Sequence, residues 1–378
     1  MDFGLSEEQQ LLQQTARDFL SAECGSDLLR QSLESEGGHP EALYRKMSQM
    51  GWTGILVPER YGGLGLGMLE AVLLASEGGR VALPGPFLSS SILATAAIER
   101  AGNVAQKKRW LPALAGGEAL GSVAWLEEGG RLDAAGIGMR ARKTRGGYVL
   151  DGTKLFVPYA QEADFLIVPA RIGSGGGEAG ITLFLVVVPS PLIIVEPLRT
   201  VDRTRRAYEV HLRGVEVPAD AVLGEAGRGW AVLTRLLDLA ATALAADGIG
   251  GSERVLEMAT DYAKQRQQFG RPIASFQAIK HLAAEMVARI EPSRSLVWYA
   301  GHACDRRPRE ASRAASMAKA RLSEVFSWCA TTAVQIHGGI GFTWEHDIHV
   351  WFKRAKANEL SFGDPAFHRD RSARFAGF

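Results

Sequence analysis

A glycine-rich turn has the residue types and spacing that suit the capture of a phosphate. Gly338, Gly339 and Gly341 follow a long apolar run and precede the mixed-charge segment "FTWEHDIHVWFKRAK". Glycines leave backbone N–H groups unobstructed by a Cβ, so such a turn can approach an anion closely. Three glycines between two helices are also typical of a turn that only needs positive φ or tight helix packing, and that alternative stays open.

Arg266 is the cation that would complete such a site. A guanidinium gives charge-assisted hydrogen bonds to phosphate oxygens in a fixed geometry. The alternative is a surface ion pair of Arg266 with Glu257 or Asp261, one or two helical turns away.

A lone carboxylate, Asp247, lies in the otherwise uncharged segment "ATALAADGIGG" (241–251). A buried carboxylate is costly unless it is paired or functional. Asp247 is therefore a candidate general base with a raised pKa. The competing interpretation is that it bonds a local backbone group at a glycine-weakened helix break, or an arginine across a subunit interface.

Composition excludes several other kinds of function. The formal charge is +1, with 43 basic and 42 acidic side chains interspersed, so neither a nucleic-acid footprint nor a polybasic membrane patch is expected. The three cysteines have no paired spacing, which predicts a reducing, cytoplasmic setting and no metal site. The apolar stretch 181–198 is interrupted by Pro189 and Pro191 and predicts strands, not a membrane span.

Hydrophobic periodicity divides the chain into three segments. Residues 1–118 are predicted to be an all-α N-terminal domain, which begins at a capping box of Ser6 and Gln9. Residues 119–225 contain short β-branched runs and predict a small barrel or sandwich. Residues 226–378 contain long helical runs near 230–267, 273–305 and 309–336, which predict an antiparallel four-helix bundle. The expected fold is thus multi-domain α+β without a Rossmann unit.

Finer details of these segments are also predicted. Gly78 and Gly79 are expected to end a helix, Pro292 to kink or split the second bundle helix, and residues 171–180 to form a mobile hairpin loop.

Three motifs, spread along the chain in the family's order, resemble the acyl-CoA dehydrogenase family. The resemblance covers essentially the whole chain. The segment "QRQQFGRPIASFQAIKH" resembles the family's R-x-x-F-G pattern, and "QIHGGIGF" resembles its Q-x-x-G-G-x-G pattern. The segment "GWTGILVPERYGGLG" (51–65) resembles the family's entry into the N-terminal domain. The resemblance implies removal of a proton α to a thioester of coenzyme A by a carboxylate, and hydride transfer from the β-carbon to FAD. It also implies that these elements bind the adenine half of an FAD whose flavin lies in the neighbouring subunit. The implied cofactor-binding residues are Arg266, Gln268, Phe269, Ile273, Gln277, Gln335, Gly338 and Gly339.

The sequence departs from the family at the catalytic base. Aligned through "KRAK" (353–356), the usual glutamate position holds Phe362. A second family location for the base falls at Ala240 and Ala241. Asp247 lies seven residues beyond Ala240, nearly two helical turns and thus on the same face, and is the remaining candidate for the catalytic residue.

Contacts to the flavin are also altered. The family's loop that touches the flavin corresponds to "WLEEGGRLD" (125–133), with Leu126 in place of a threonine. Pro158 stands where a hydroxyl residue is usual, and it has neither a hydroxyl nor an N–H. Asp364 replaces a threonine near a phosphate and is expected to repel it.

This asymmetry suggests a heteromer, because the half-site offered to a neighbour is retained while the chain's own half-site is eroded. The segments "GFTWEHDIHVWFKRAK" and "FGDPAFHRDR" resemble subunits of the α2β2 enzymes of acyl-CoA and steroid side-chain degradation. The leading hypothesis is therefore one subunit of a heteromeric acyl-CoA dehydrogenase that works with a homologous partner, an acyl-CoA substrate and an electron-transfer flavoprotein. The alternatives are a self-sufficient homotetramer with Asp247 as base, a flavin-dependent oxidase or monooxygenase, and a purely structural subunit.

Overall fold

The computed structural model describes residues 4–35, 37, 39–173 and 175–378. Contacts divide the chain into two compact units. Unit 1 comprises Met1–Leu33, Gly67–Leu83 and Ala241–Phe378, and unit 2 comprises Glu34–Leu66 and Pro84–Ala240. The domain boundaries near residues 118 and 225 stay a prediction.

Helices occupy the two ends of the chain and strands its middle, as predicted. Eleven α-helices lie in the described ranges: α1 (Glu7–Glu23), α2 (Ser26–Glu34), α3 (Glu41–Gln49), α4 (Met68–Arg80), α5 (Thr95–Ala101), α6 (Val104–Ala115), α7 (Gly229–Gln265), α8 (Gln277–Arg306), α9 (Ala311–His337), α10 (Ile348–Leu360) and α11 (Pro365–Phe375). The strands are β1 (Gly121–Val123), β2 (Arg140–Lys143), β3 (Gly147–Pro158), β4 (Phe165–Arg171), β5 (Ile181–Val187), β6 (Ile193–Pro197), β7 (Ala207–Pro218), β8 (Val222–Leu223), β9 (Gln267–Gln268) and β10 (Arg271–Pro272). No helix in these ranges is both long enough and apolar enough to cross a membrane.

The predicted capping box at the start of α1 is confirmed. The Ser6 hydroxyl accepts from the Gln9 backbone N–H at 3.2 Å, and the Gln9 side-chain carbonyl accepts from the Ser6 N–H at 3.0 Å. These bonds satisfy donors that have no partner in the first turn of a helix. The helix then buries Ala16 and Leu20.

The glycines predicted to stop α4 lie inside it, and the helix ends one residue later, at Arg80. Gly79 also permits a close contact between helices, together with Gly250 of α7. A Cβ on Gly79 would stand 2.0 Å from the carbonyl oxygen of Asp247, and one on Gly250 would stand 1.7 Å from that of Ser76. The backbones of α4 and α7 therefore touch directly, which only glycine permits.

The three predicted bundle helices correspond to α7, α8 and α9, with α10 and α11 packed against α9. Splitting of the second helix at Pro292 is wrong, because α8 continues through this residue. One residue further on, the Ser293 hydroxyl donates to the Arg289 carbonyl at 2.7 Å.

The middle of the chain forms a sheet in unit 2, ordered β6-β7-β3-β2-β4-β5-β8, with β1 paired to β4. The short β-branched runs "YVLDGTKLFV", "FLIVPAR", "ITLFLVVV" and "YEVHLRGVEV", which predict strands, lie in β3, β4, β5 and β7. The apolar stretch 181–198 contains β5 and β6, as predicted. Strand β4 is buried along its whole length, and Tyr148 and Phe184 meet edge to face with ring centroids 5.0 Å apart in the core.

Carbonyl groups of the loop between β4 and β5 surround one buried arginine. Arg171 donates to the carbonyl oxygens of Gly175, Gly177 and Ala179 at 3.1, 2.6 and 3.3 Å. Ser174 lies outside the described residues, and the mobility of this loop stays a prediction. The buried guanidinium is satisfied by backbone oxygens.

Candidate functional site

The predicted arginine lies at the base of a tight hairpin. Helix α7 ends at Gln265, and β9 and β10 then pair through a two-residue turn of Phe269 (φ +53°) and Gly270 (φ +75°). Positive φ at both central residues matches the right-handed twist of a hairpin. The Ile273 N–H donates to the Arg266 carbonyl at 2.8 Å and closes the loop. The Phe269 ring is left 90% exposed.

The hairpin brings together the first five predicted cofactor residues. Gln268 is in β9, Ile273 is half-buried at the hairpin's end, and Gln277 begins α8. The Arg271 guanidinium lies 4.2 Å from the centroid of the ring of Phe276, the residue that precedes α8. The structure thus presents an exposed arginine, two exposed amides and an exposed phenyl ring on one short segment.

The guanidinium of Arg266 forms no ion pair and no hydrogen bond within the described ranges. Both acids proposed as its alternative partners are engaged elsewhere. Glu257 pairs with Arg80 at 2.6 Å and with Arg254 at 3.5 Å, and Asp261 pairs with Lys264 at 3.7 Å. The local ion-pair alternative is therefore wrong, and Arg266 is an exposed cation available to a ligand.

The glycine turn is open on its outer side and packed on its inner side. Helix α9 ends at His337, and Gly338 takes φ +65°, the conformation that favours glycine. A Cβ on Gly338 or Gly339 would meet no atom within 4 Å, whereas one on Gly341 would stand 2.9 Å from the Val334 carbonyl. Gln335, the other predicted residue here, is exposed in the last turn of α9. Positive φ at Gly338 and close packing at Gly341 are thus both observed, and contact of the open Gly338 and Gly339 backbone with an anion stays a prediction.

The hairpin and the glycine turn lie in the same region of unit 1. Tyr262, one helical turn before Arg266, stacks on His337, the residue before Gly338, with ring centroids 4.5 Å apart and planes 22° apart. This contact was not predicted, since Tyr262 and His337 are separated by most of two helices. An unpaired guanidinium, exposed amides and an open glycine backbone form a donor set that fits the diphosphate of a dinucleotide such as FAD.

Asp247 is buried in an ion pair with an arginine of the same chain. Its carboxylate is 3% exposed and accepts from Arg354 Nη2 at 2.6 Å, from Arg354 Nε at 3.0 Å, and from the Asn358 amide at 2.6 Å. Arg354, 1% exposed, also donates to the Leu83 carbonyl at 3.2 Å. Donors from α10 occupy both carboxylate oxygens. This resembles the predicted pairing of Asp247 with an arginine, but the arginine belongs to the same chain and not to a neighbouring subunit.

The turn that holds Phe362 is fixed by two buried groups of unit 1. The Lys319 ammonium donates to the Gly363 carbonyl at 2.8 Å, the Glu359 carbonyl at 3.2 Å and the Ser323 hydroxyl at 3.0 Å. Burial lowers the pKa of Lys319 to about 7. His368 Nε2 donates to the Phe362 carbonyl at 3.0 Å. Phe362 itself takes φ +57°.

Asp364 is a helix cap. Its carboxylate accepts from the Phe367 N–H at 2.7 Å at the start of α11. This bond gives the acid a local structural reason, since an aspartate at this position satisfies donors of the first turn and complements the helix dipole.

In unit 2, the segment predicted to face the flavin is anchored by Glu127 and Lys154. Glu127 accepts from the Gly138 N–H at 2.8 Å and from the Lys154 ammonium at 2.6 Å. Burial lowers the pKa of Lys154 to about 8, and its ammonium also donates to the Pro169 carbonyl at 2.7 Å. Leu126 accepts a backbone hydrogen bond from Leu155 at 2.8 Å. The polar atoms of Glu127 and Lys154 are engaged in holding this segment. They therefore do not replace the hydroxyl groups that the family has at the positions of Leu126 and Pro158.

Within the described ranges, no cluster of three or more histidine, cysteine, aspartate or glutamate side chains is arranged to hold a metal ion.

Comparison with known proteins agrees with the geometry. The profile "Acyl-CoA dehydrogenase, N-terminal domain" matches residues 6–118, and "Acyl-CoA dehydrogenase, C-terminal domain" matches residues 227–377. An acyl-CoA dehydrogenase of Bacillus subtilis is 33% identical over 374 residues, which cover 97% of this chain and 97% of the relative.

Solved structures show the same fold along the whole chain. Butyryl-CoA dehydrogenase from Megasphaera elsdenii is similar with a TM-score of 0.91 and 30% identity, and the match covers 100% of each chain. A chain of the ChsE4-ChsE5 complex from Mycobacterium tuberculosis has a TM-score of 0.90 and 29% identity, covering 100% of this chain and 99% of that one. The chain belongs to the acyl-CoA dehydrogenase family, whose members are FAD-dependent oxidoreductases.

Proposed function

We propose that this chain is one subunit of a heteromeric acyl-CoA dehydrogenase and that it binds the diphosphate of an FAD whose flavin lies in a partner subunit. The observation that carries the proposal is Arg266, an exposed guanidinium that has no partner among the residues the structure describes, beside the open turn at Gly338 and Gly339. A phosphate oxygen would give this cation the charge-assisted bonds that those residues do not provide.

The proposed reaction is α,β-dehydrogenation of an acyl-CoA thioester. When bound, FAD supplies the acceptor for the hydride that leaves the β-carbon. A carboxylate must remove the proton at the α-carbon, and this chain has Phe362 at the usual position of that carboxylate. The base is therefore assigned to the partner subunit, and electrons are proposed to pass to an electron-transfer flavoprotein.

The geometry of Asp247 supports assigning the base elsewhere. A general base must have a free lone pair within reach of the substrate proton. Four hydrogen bonds donated by Arg354 and Asn358 occupy the Asp247 oxygens. The homotetrameric alternative with Asp247 as base would require these bonds to break before proton transfer.

The similarity to a chain of the ChsE4-ChsE5 complex supports a partner of unlike sequence. A heteromer would also account for the loss of hydroxyl groups at Leu126 and Pro158, because selection on the flavin contacts of this chain would be relaxed. Those two positions carry no group that can donate to a flavin from its side chain.

Arg266→Ala tests the proposed role in the complex isolated from the native host. Loss of a hydrogen bond to a charged group costs about 1.5–3 kcal/mol, so the Kd of FAD should rise by roughly 10- to 150-fold. Lys264→Ala is the matched control, because Lys264 is an exposed cation two residues away that already pairs with Asp261. FAD content is read from the ratio of flavin to protein absorbance.

The chain expressed alone should lack stoichiometric FAD and acyl-CoA oxidation. A yellow, active oligomer of this chain alone would contradict the heteromeric proposal. An Arg266→Ala complex with unchanged FAD affinity would contradict the role of the arginine.

A further inference from the structure

A stack of three rings joins the two parts of the proposed diphosphate site. Tyr262 belongs to α7, His337 is the last residue of α9, and His346 lies between α9 and α10. The rings of Tyr262 and His337 are nearly parallel at 4.5 Å between centroids, and those of His337 and His346 are tilted at the same separation. Aromatic pairs at this distance are attractive beyond their buried area.

The central ring is held in one orientation. His337 Nδ1 lies 2.7 Å from the Ala333 carbonyl and must donate to it, which leaves Nε2 as a lone pair without a hydrogen-bond partner in the described ranges. The side chain is buried, so rotation would bury a polar N–H instead. The ring plane that faces Tyr262 is therefore fixed by α9.

The outer ring is anchored from a third helix. His346 Nδ1 accepts from the Ile348 N–H at 3.1 Å. Arg30 of α2 donates to Asp347 Oδ1 at 3.0 Å and to the Glu345 carbonyl at 3.1 Å, so it holds the residues on either side of His346. Arg30 and the Ile348 N–H therefore hold the segment that carries His346. This segment supports the His337 ring against which Tyr262 packs.

Tyr262 and His337, the nearly parallel pair of the stack, each lead directly to a proposed phosphate ligand. The Arg266 N–H donates to the Tyr262 carbonyl at 2.8 Å, and this residue starts the hairpin. Gly338 follows His337 in sequence. A shift of Tyr262 relative to His337 would displace Arg266 relative to the glycine backbone.

We propose that Tyr262 and His337 are positioning residues that hold the Arg266 hairpin in register with the glycine turn, so that one diphosphate can contact both. The inference rests on the proposed function, because it concerns the geometry of that same site. If the two rings only packed the fold, any effect of Tyr262 on FAD affinity would not depend on the presence of Arg266.

A double-mutant cycle on FAD affinity tests the inference in the deflavinated complex. Tyr262→Ala should raise the Kd of FAD roughly three- to tenfold, within the range of one aromatic stack, while Tyr262→Phe should stay within about twofold. In an Arg266→Ala background, Tyr262→Ala should add little, because it acts through that arginine. Tyr262→Leu repeats the test if the alanine variant does not fold.

Tyr299→Ala is the matched control. Tyr299 is a partly exposed tyrosine of α8 that bonds Glu310, and its loss should leave FAD affinity unchanged. The inference is overturned if Tyr262→Ala leaves the Kd unchanged, if Tyr262→Phe weakens binding as strongly, or if the effect persists in full without Arg266. If Arg266→Ala itself has no effect, the proposed function fails and the inference with it. If only the Tyr262 variants have none, the proposed function survives.

Discussion

Replacing Asp247 by asparagine would leave the Arg354 guanidinium buried without a countercharge. Arg354 is 1% exposed, and its bonds to Asp247 of 2.6, 3.0 and 3.2 Å all end on the carboxylate. Asparagine has nearly the same volume, so the change removes charge without opening a cavity. The perturbation therefore removes the charge and one of the two acceptor oxygens without changing the packing volume.

The expected loss of stability is large. Breaking a buried ion pair by removing one partner costs about 3–5 kcal/mol, because the remaining charge is desolvated without compensation. For domains of roughly 150–250 residues, each kcal/mol lowers the melting temperature by about 2–4 °C. Asp247→Asn should thus melt roughly 6–20 °C below the native chain in a calorimetric or circular-dichroism scan.

Two companion variants identify the cause. Asp370→Asn removes one partner of an ion pair with Arg374 whose side chains are 60% and 76% exposed, and it should change the free energy of unfolding by less than about 1 kcal/mol. The double variant Asp247→Leu with Arg354→Met removes both charges. It should recover at least half of the loss, since apolar replacements of a buried pair are often neutral or stabilising.

A different outcome would refute this reasoning. If Asp247→Asn melts within about 2 °C of the native chain and keeps its FAD but loses acyl-CoA oxidation, Asp247 is the base and not a structural ion-pair partner. The assay is dye-coupled acyl-CoA oxidation by the isolated complex, run beside the thermal scan on the same samples.

Three further predictions concern the fold and the glycine turn. Burial, with the nearby Lys319 charge, lowers the pKa of His368 to about 4. In the unfolded chain the His368 ring takes up a proton from about pH 6.5 downward, whereas the folded ring stays neutral until about pH 4. The free energy of unfolding is therefore highest above pH 6.5 and falls by about 3 kcal/mol towards pH 4. His368→Gln should flatten this acid limb in urea titrations, and an unchanged limb would contradict the assignment. Gly250→Ala should lose about 3 kcal/mol or more, because its Cβ would stand 1.7 Å from the Ser76 carbonyl. Gly339→Ala should keep the melting temperature and weaken FAD binding, and a loss of stability there would show that the turn's outer side is not open.

Local patterns predicted the elements well because their causes are local. The capping box at Ser6, the four main strands and the three long helices follow from hydrogen-bonding groups and periodicity within a few residues. The predicted break at Pro292 is wrong, because α8 continues through it. Distant backbone contact was not predicted: Gly79 lies at the end of α4, and its lack of a Cβ is also needed for the crossing with α7.

The candidate site was predicted in parts but not as an assembly. Motif spacing identified Arg266 and the glycine turn, which stay predicted ligands, but the hairpin that follows Arg266 was not predicted. Nothing in the sequence pairs Tyr262 with His337 or Asp247 with Arg354, because each pair comes from helices about 75 to 107 residues apart. Such contacts depend on how helices pack, which short-range patterns do not encode.

The sequence by itself determined the order of helices and strands, the family motifs and the absence of a carboxylate at residue 362. Those properties depend on residue identity and spacing alone. Only the tertiary structure decided which charges are already engaged. Arg266 and Asp247 both looked like candidates for chemistry. The fold leaves the first exposed, with no partner in the described part of the chain, and surrounds the second with donors. The physical reason is that a charge's availability depends on its neighbours in space, and those neighbours come from distant parts of the chain.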